Sequence, residues 1–183
     1  MKKHALNIAA FFWGVAEATL FFIVPDVILS YIGLRHGPRA AAIASVYAAC
    51  GAAVGGAIMF AWSANAADAA RRAVLGVGAI SEDMGARAEQ ATAANWFVAT
   101  LTGPLTNTPF KLFAILAPHA GAALPVFALA AIAARLPRFL IVSIGIALLS
   151  RFLSRWLSER QLIWVLIGAW LLFYVQFFAR MPN

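Results

Sequence analysis

The chain has 183 residues, of which 63% are hydrophobic and only 11% are charged, and its mean hydropathy is +0.85. This composition excludes an ordinary soluble globular protein and is typical of a polytopic membrane protein. The formal net charge is +7, but the basic residues are scattered between apolar segments, which favours loops and headgroup contacts over a nucleic-acid interface. The single cysteine, Cys50, allows neither an internal disulfide nor a cysteine-based metal site within one chain.

We therefore predict an all-α integral membrane protein, with one membrane domain over residues 1–183. Since each span takes about 20 residues, the chain has room for about four to six hydrophobic segments. The apolar run after Lys2 and Lys3 resembles a signal peptide. It continues past Glu17 without a convincing cleavage site, so we expect it to be retained.

The first predicted element, about residues 5–34, carries two carboxylates and a proline within an apolar stretch. A carboxylate in hydrocarbon costs roughly 2.5 kcal/mol or more, so Glu17 and Asp26 are expected to face a partner or a water-filled cavity. Pro25 lacks a backbone N–H and disfavours helix at the residue before it, so we expect the chain to break there. Two interpretations stay open: a re-entrant helix–break–helix element that lines a polar pathway, or a helix that ends at Val24 while Asp26 caps the next one.

A turn and a helix rich in small residues are predicted next. The step from Gly37 to Pro38 stops one segment and starts another. Residues 40–62 are long enough to span a membrane. Gly51 and Gly55 fall on one face of this helix, in a pattern that lets another backbone approach closely.

The only extended polar region is a predicted amphipathic linker over about residues 63–94. Apolar residues are interspersed among its charges, which favours a short helix at the membrane interface. The sequence at Ser81 then predicts a helix cap and a second helix. We expect the charged residues of this linker to form a solvated face.

A second re-entrant element is predicted over about residues 96–118, which repeat the pattern of the first element. Two apolar arms, each too short to span the membrane, flank a loop that contains Pro104, Asn107 and Pro109. Paired interrupted segments in the two halves of a chain indicate a transporter binding site near the midplane of the membrane.

The C-terminal helices are predicted over about residues 122–180. An apolar run ends at Arg135. Pro137 follows two residues later and suits the first turn of a new helix. The last helix, residues 161–179, is the cleanest spanning segment. The basic loop 151–160 and the N-terminal lysines favour the cytoplasmic side, but the overall orientation stays open.

No pattern of an enzyme is present, and neither a cofactor nor a metal site is predicted. The sequence lacks His-Glu-x-x-His and Gly-x-Ser-x-Gly, and its three histidines are far apart. What remains is a constellation of charges in apolar segments. Its members are the acids Glu17 and Asp26 and the cations Lys111, Arg135 and Arg138.

Two interpretations of these charges stay open. Cations without carboxylate partners attract a phosphate group, and an arginine fork can bind two of its oxygens. An acid balanced between burial and nearby cations can exchange a proton during a conformational cycle. Alternatively, static buried ion pairs, for instance Glu17 with Arg135, hold the hairpins together.

Three local patterns are shared with a known family. They are Glu17 followed by an apolar stretch and Pro25-Asp26, the run Gly51-x-x-x-Gly55-Gly56, and Pro109-Phe110-Lys111 with Arg135-x-x-Arg138-Phe139 about 24 residues later. Their order and spacing, over about residues 10–155, resemble the DedA-like, or VTT-domain (SNARE-associated Golgi protein), membrane proteins of the short bacterial type.

The resemblance implies two inward-facing re-entrant hairpins and lipid transport, as a flippase or scramblase, in the bacterial inner membrane. Members of this family are associated with moving polyprenyl-phosphate carriers or phospholipids between leaflets, in dependence on the proton motive force. The expected partners are therefore membrane lipids and not nucleic acid, and homo-oligomerisation is left open.

The residues of the expected site follow from the motifs and the charges together. Lys111, Arg135 and Arg138 would hold the lipid phosphate, and Asn107 would add neutral hydrogen bonds from its loop. Glu17 and Asp26 would take up and release the proton. The alternative function is a non-transporting membrane scaffold or assembly factor, whose small-residue faces bind partner helices.

Overall fold

The computed structural model describes residues 3–77, 80–103, 106 and 108–179, and these residues form helices and connecting loops without a strand. The elements in chain order are α1 (Lys3–Ala18), α2 (Asp26–Asn65), α3 (Ala67–Leu75), α4 (Glu82–Thr102), α5 (Phe110–Leu116), a 3-10 turn (Ala117–Ala120), α6 (Leu124–Leu153) and α7 (Glu159–Ala179). By length and hydropathy, α2, α6 and α7 could each cross a membrane. These observations support the predicted class, an all-α membrane protein.

Helix α2 consists of two arms that meet at the predicted turn. Gly37 has φ 81° and ψ 179°, which interrupts the helical backbone. Glycine adopts a positive φ without the steric penalty that a side chain would bring. We call residues 26–36 the first arm of α2 and residues 38–65 its second arm.

The second arm packs against α1 through its small residues. A Cβ atom on Gly51 would overlap the carbonyl oxygen of Phe11, and one on Gly55 would crowd the backbone of Val15. This close approach is the one that the glycine pattern predicted. Because the contacts advance in the same direction along both helices, α1 and the second arm run parallel.

Helix α6 packs against both arms of α2, in opposite directions. Along the second arm, Ser45 Oγ lies 3.0 Å from Ser143 Oγ, and the ring of Phe60 contacts that of Phe127, so the two helices are antiparallel. Along the first arm, the backbone of Gly33 faces Ser143 and Asp26 bonds Arg138, so the two are parallel. The first arm is therefore antiparallel to α1, and together they form a helical hairpin.

The region of the polar linker contains the short helix α3 and the start of α4. Ser81 Oγ accepts a hydrogen bond from the Met84 N–H at 3.3 Å and so caps α4. Helix α4 is interrupted at Asn95, which has an extended backbone. Asn95 Oδ1 accepts hydrogen bonds from the next free N–H groups, those of Phe97 and Val98, both at 3.1 Å. A new helical segment thus starts at residue 96.

The prediction of a new helix at Pro137 is wrong, because α6 continues through this residue. Proline removes one backbone hydrogen bond, the one to the residue four positions earlier. Transmembrane helices tolerate such a loss when neighbouring helices hold the flanking turns, and buried Ala131 and Phe139 anchor α6 on both sides. As a consequence, Arg135 and Arg138 lie one turn apart on a single continuous helix.

Candidate functional site

The first interruption of the helical backbone, residues 19–25, is supported by side chains from other elements. A buried backbone group without a partner is costly, so each N–H or C=O that such a break leaves without a helical hydrogen bond needs another partner. The bonds are Trp13 Nε1 to the Ile23 carbonyl (2.9 Å), Lys111 Nζ to the Phe21 carbonyl (2.7 Å) and the Val24 N–H to Tyr174 Oη (3.0 Å).

Glu17, in the last turn of α1, forms an ion pair with Arg135 of α6. Both side chains are buried. The guanidinium of Arg135 lies over the rings of Phe110 and Phe139, at 5.1 and 5.5 Å from their centroids. Aromatic faces attract a cation and hold it in place. This pair therefore fixes the end of α1 against both α6 and α5.

A second ion pair joins Asp26, directly after the break, to Arg138 of α6. Arg138 Nη2 donates to Asp26 Oδ2 at 2.9 Å. Asp26 is only 1% exposed, and as the first residue of α2 it also interacts favourably with the helix N-terminus. Its other carboxylate oxygen has no hydrogen-bond partner among the described residues. The Arg138 side chain is 39% exposed, so this pair has one accessible partner.

Lys111 differs from the two arginines because it has no acidic partner. The residue lies in the first turn of α5 and is 3% exposed. Its ammonium donates to the Phe21 carbonyl, and no carboxylate of the described residues lies within 4 Å of it. A buried charge without a counter-ion is unfavourable, so this ammonium is the strongest candidate for binding an anion.

These charges surround a cavity of about 140 Å³, which we call the charged cavity. Its charged and polar lining consists of Glu17, Thr108, Lys111, Arg135, Arg138 and Tyr174. Asp26 lies behind this wall, bound to Arg138. The three cations and two carboxylates leave one positive charge in excess. The structure thus brings the five predicted charged residues together, while Asn107 lies outside the described residues.

Sequence reasoning missed the contribution of α7 to this site. Tyr174 supports the break at Val24 and lines the charged cavity, and Trp170, one turn earlier, donates to Ser30 Oγ at 2.9 Å. The sequence had indicated only a spanning helix that contains aromatic residues. A hydroxyl and an indole N–H four residues apart were the available signal, since such groups seek a polar partner when they are buried.

Comparisons with known proteins identify no relatives of this chain. No family model matches it, and no similar curated protein or solved structure was found. Its function is therefore inferred from the fold and the charged cavity. The likeness to the DedA-like family remains a prediction that rests on the residues quoted above.

Proposed function

We propose that this chain is a DedA-like membrane transport protein, which moves an anionic, phosphate-bearing lipid between the leaflets of the bacterial inner membrane. The observation that carries the proposal is the buried ammonium of Lys111, which lies beside Arg135 and Arg138 and has no carboxylate partner among the described residues. An anion in the charged cavity would neutralise the excess charge, and a phosphate group suits the arginine forks.

The lengths of the helices support a re-entrant geometry. Helix α1 has 16 residues, about 24 Å at 1.5 Å per residue, and the first arm of α2 is shorter. Neither reaches across a hydrocarbon core of about 30 Å, and the two run antiparallel. We therefore place the break between them inside the membrane, where surrounding protein must cover the backbone.

A second hairpin, formed by residues 96–102 and α5, is proposed to meet the first. The contact is the hydrogen bond from Lys111 to the Phe21 carbonyl. Transporter sites form where two interrupted segments come together near the midplane. The charged cavity lies at such a junction, which favours a substrate path over a site at the membrane surface.

Proton coupling follows from competition for the arginines. A phosphate that binds Arg135 and Arg138 draws them away from Glu17 and Asp26. A carboxylate in low dielectric that loses its cation favours the protonated form. Binding of the anionic headgroup is thereby linked to proton uptake, and its release to proton loss.

The test is leaflet exchange of a fluorescent phosphatidic acid in proteoliposomes, with and without a proton gradient. The wild-type chain is compared with Lys111→Gln and with the matched control Arg72→Gln, which changes an exposed cation on α3. Since a charge-assisted hydrogen bond contributes about 1.5–3 kcal/mol, Lys111→Gln should lower the exchange rate by about tenfold or more. The control should exchange at the wild-type rate.

Thermal unfolding in detergent first confirms that both variants are folded. Wild-type exchange no faster than in protein-free vesicles would contradict transport of this lipid and favour the membrane scaffold. Wild-type exchange that a folded Lys111→Gln variant retains in full would leave a lipid transporter whose path lies elsewhere.

A further inference from the structure

A second cavity lies between α7 and the hairpin formed by α1 and the first arm of α2. We call it the apolar groove. Its volume is about 470 Å³, within the range of about 300–1,000 Å³ that is typical of small-molecule sites. The wall is formed by aliphatic and aromatic side chains, among them Val27, Ile28, Leu166, Trp170 and Leu171.

Four side chains of this wall carry a polar group, those of Trp13, Tyr31, Trp170 and Tyr174, and all but Tyr31 are bonded to the protein as follows. The Trp13 indole N–H donates to the Ile23 carbonyl, and the Trp170 indole N–H donates to Ser30 Oγ. The Tyr174 hydroxyl accepts from the Val24 N–H. The groove therefore presents an apolar surface with few hydrogen-bonding groups. A hydrocarbon chain is the kind of ligand that would bind favourably to such a surface.

The apolar groove adjoins the charged cavity at Tyr174. Tyr174 lines both, and the consecutive residues Ile23 and Val24 line the groove and the cavity respectively. The groove is also lined by Leu171 of α7, which is largely exposed on the outer face of the helices. A chain lying in the groove could thus extend from the outer face of the helices to the side of Tyr174, next to the three cations.

We infer that the apolar groove holds the hydrocarbon chain of the lipid whose phosphate occupies the charged cavity. This inference rests on the proposed function and assigns the substrate class more closely, as a phosphate-bearing amphiphile with an extended hydrocarbon chain beside its headgroup. Tyr174 marks the junction of chain and headgroup. Helix α7 then forms one wall of the binding site in addition to spanning the membrane.

The first test fills the groove without touching the charged cavity. Leu166→Trp places a larger side chain in the groove wall. The matched control Leu172→Trp makes the same change at a position that is 69% exposed on α7 and does not line the groove. We expect Leu166→Trp to lower the exchange rate of fluorescent phosphatidic acid at least tenfold and the control to leave it unchanged. Equal exchange by the two folded variants and the wild type would overturn the groove assignment while leaving transport intact.

The second test measures binding without transport, so the two proposals can fail separately. A variant keeps the groove residues Trp13 and Trp170 and replaces the other tryptophans by phenylalanine, at positions 62, 96, 156 and 164. In detergent, it is titrated with dodecyl phosphate that carries bromine at the end of its chain. We expect saturable quenching of tryptophan fluorescence that excess unbrominated dodecyl phosphate reverses, and at least fivefold weaker quenching by the brominated alcohol.

Each outcome of this titration decides the groove assignment. Saturable, phosphate-dependent quenching in a protein that fails to exchange lipid would support the groove and contradict transport. Quenching that does not saturate, or that is equal for the alcohol and the phosphate, would overturn the groove assignment whatever the exchange assay shows.

Discussion

The breaks of the two proposed hairpins are held in different ways. The first, residues 19–25, is bonded by Trp13, Lys111 and Tyr174, which lie on α1, α5 and α7. The second lies in the loop that leads into α5, and its described residues form hydrogen bonds with one another. Thr106 Oγ1 donates to the Gly103 carbonyl at 3.0 Å and lies 3.2 Å from Thr108 Oγ1.

This difference separates a break that depends on the assembled fold from a loop that depends on local sequence. Whatever moves Lys111 or Tyr174 also removes a bond from the first break. A ligand that displaces their contacts in the charged cavity would therefore alter the backbone beside Glu17 and Asp26. The second loop has no such side-chain hydrogen bonds to distant elements in its described part.

The largest effect should come from Arg135→Met, which removes the partner of the buried Glu17. Breaking a buried ion pair from one side costs about 3–5 kcal/mol, because the remaining charge is left without compensation. We expect the free energy of unfolding in detergent to fall by that amount. Arg71→Met, which opens the exposed pair with Glu89, should cost less than about 1 kcal/mol. A similar small loss for both variants would show that Arg135 does not hold the first break.

A smaller effect is expected for Tyr174→Phe, which removes only the hydroxyl bonded by the Val24 N–H. A lost hydrogen bond of this kind costs about 1 kcal/mol. The variant should also show faster hydrogen exchange at the amide of Val24. Tyr47→Phe, at an exposed position on α2, is the control. Unchanged protection of the Val24 amide would mean that α7 does not support the break.

The smallest effect is expected for Thr106→Val in the second loop. The lost bond to the Gly103 carbonyl lies at an exposed position, so the free energy of unfolding should fall by only about 0.5 kcal/mol. Amide exchange over residues 19–25 should remain as in the wild type. Faster exchange at residues 19–25 would show that the first break is coupled to the second loop, contrary to their separation in the structure.

The sequence indicates which charged residues lie in the site better than it indicates which contacts hold them in place. A proline and two acids in an apolar stretch predict the first break, and Gly51 with Gly55 predicts the close approach of another backbone, which is that of α1 in the structure; both signals are local. The pairing of Asp26 with Arg138 across more than a hundred residues depends on the direction of packing, which residue types alone do not determine.

Two other features of the site could be recognised only in the folded structure. The continuity of α6 through Pro137 results from packing on both sides of one missing hydrogen bond, so the helix-breaking signal of proline was misleading. The contribution of Tyr174 depends on α7 lying beside the first hairpin. An apolar spanning helix carries no pattern that specifies its neighbour.

The central claim is that the buried charges serve transport in addition to holding the fold. The most direct measurement is phosphatidic acid exchange by the double variant Glu17→Leu, Arg135→Met, since replacing a buried ion pair by apolar residues of similar size is often neutral for stability. We predict wild-type thermal stability with exchange at the level of protein-free vesicles. A stable double variant that exchanges lipid at the wild-type rate would contradict the claim and leave this ion pair a purely structural role.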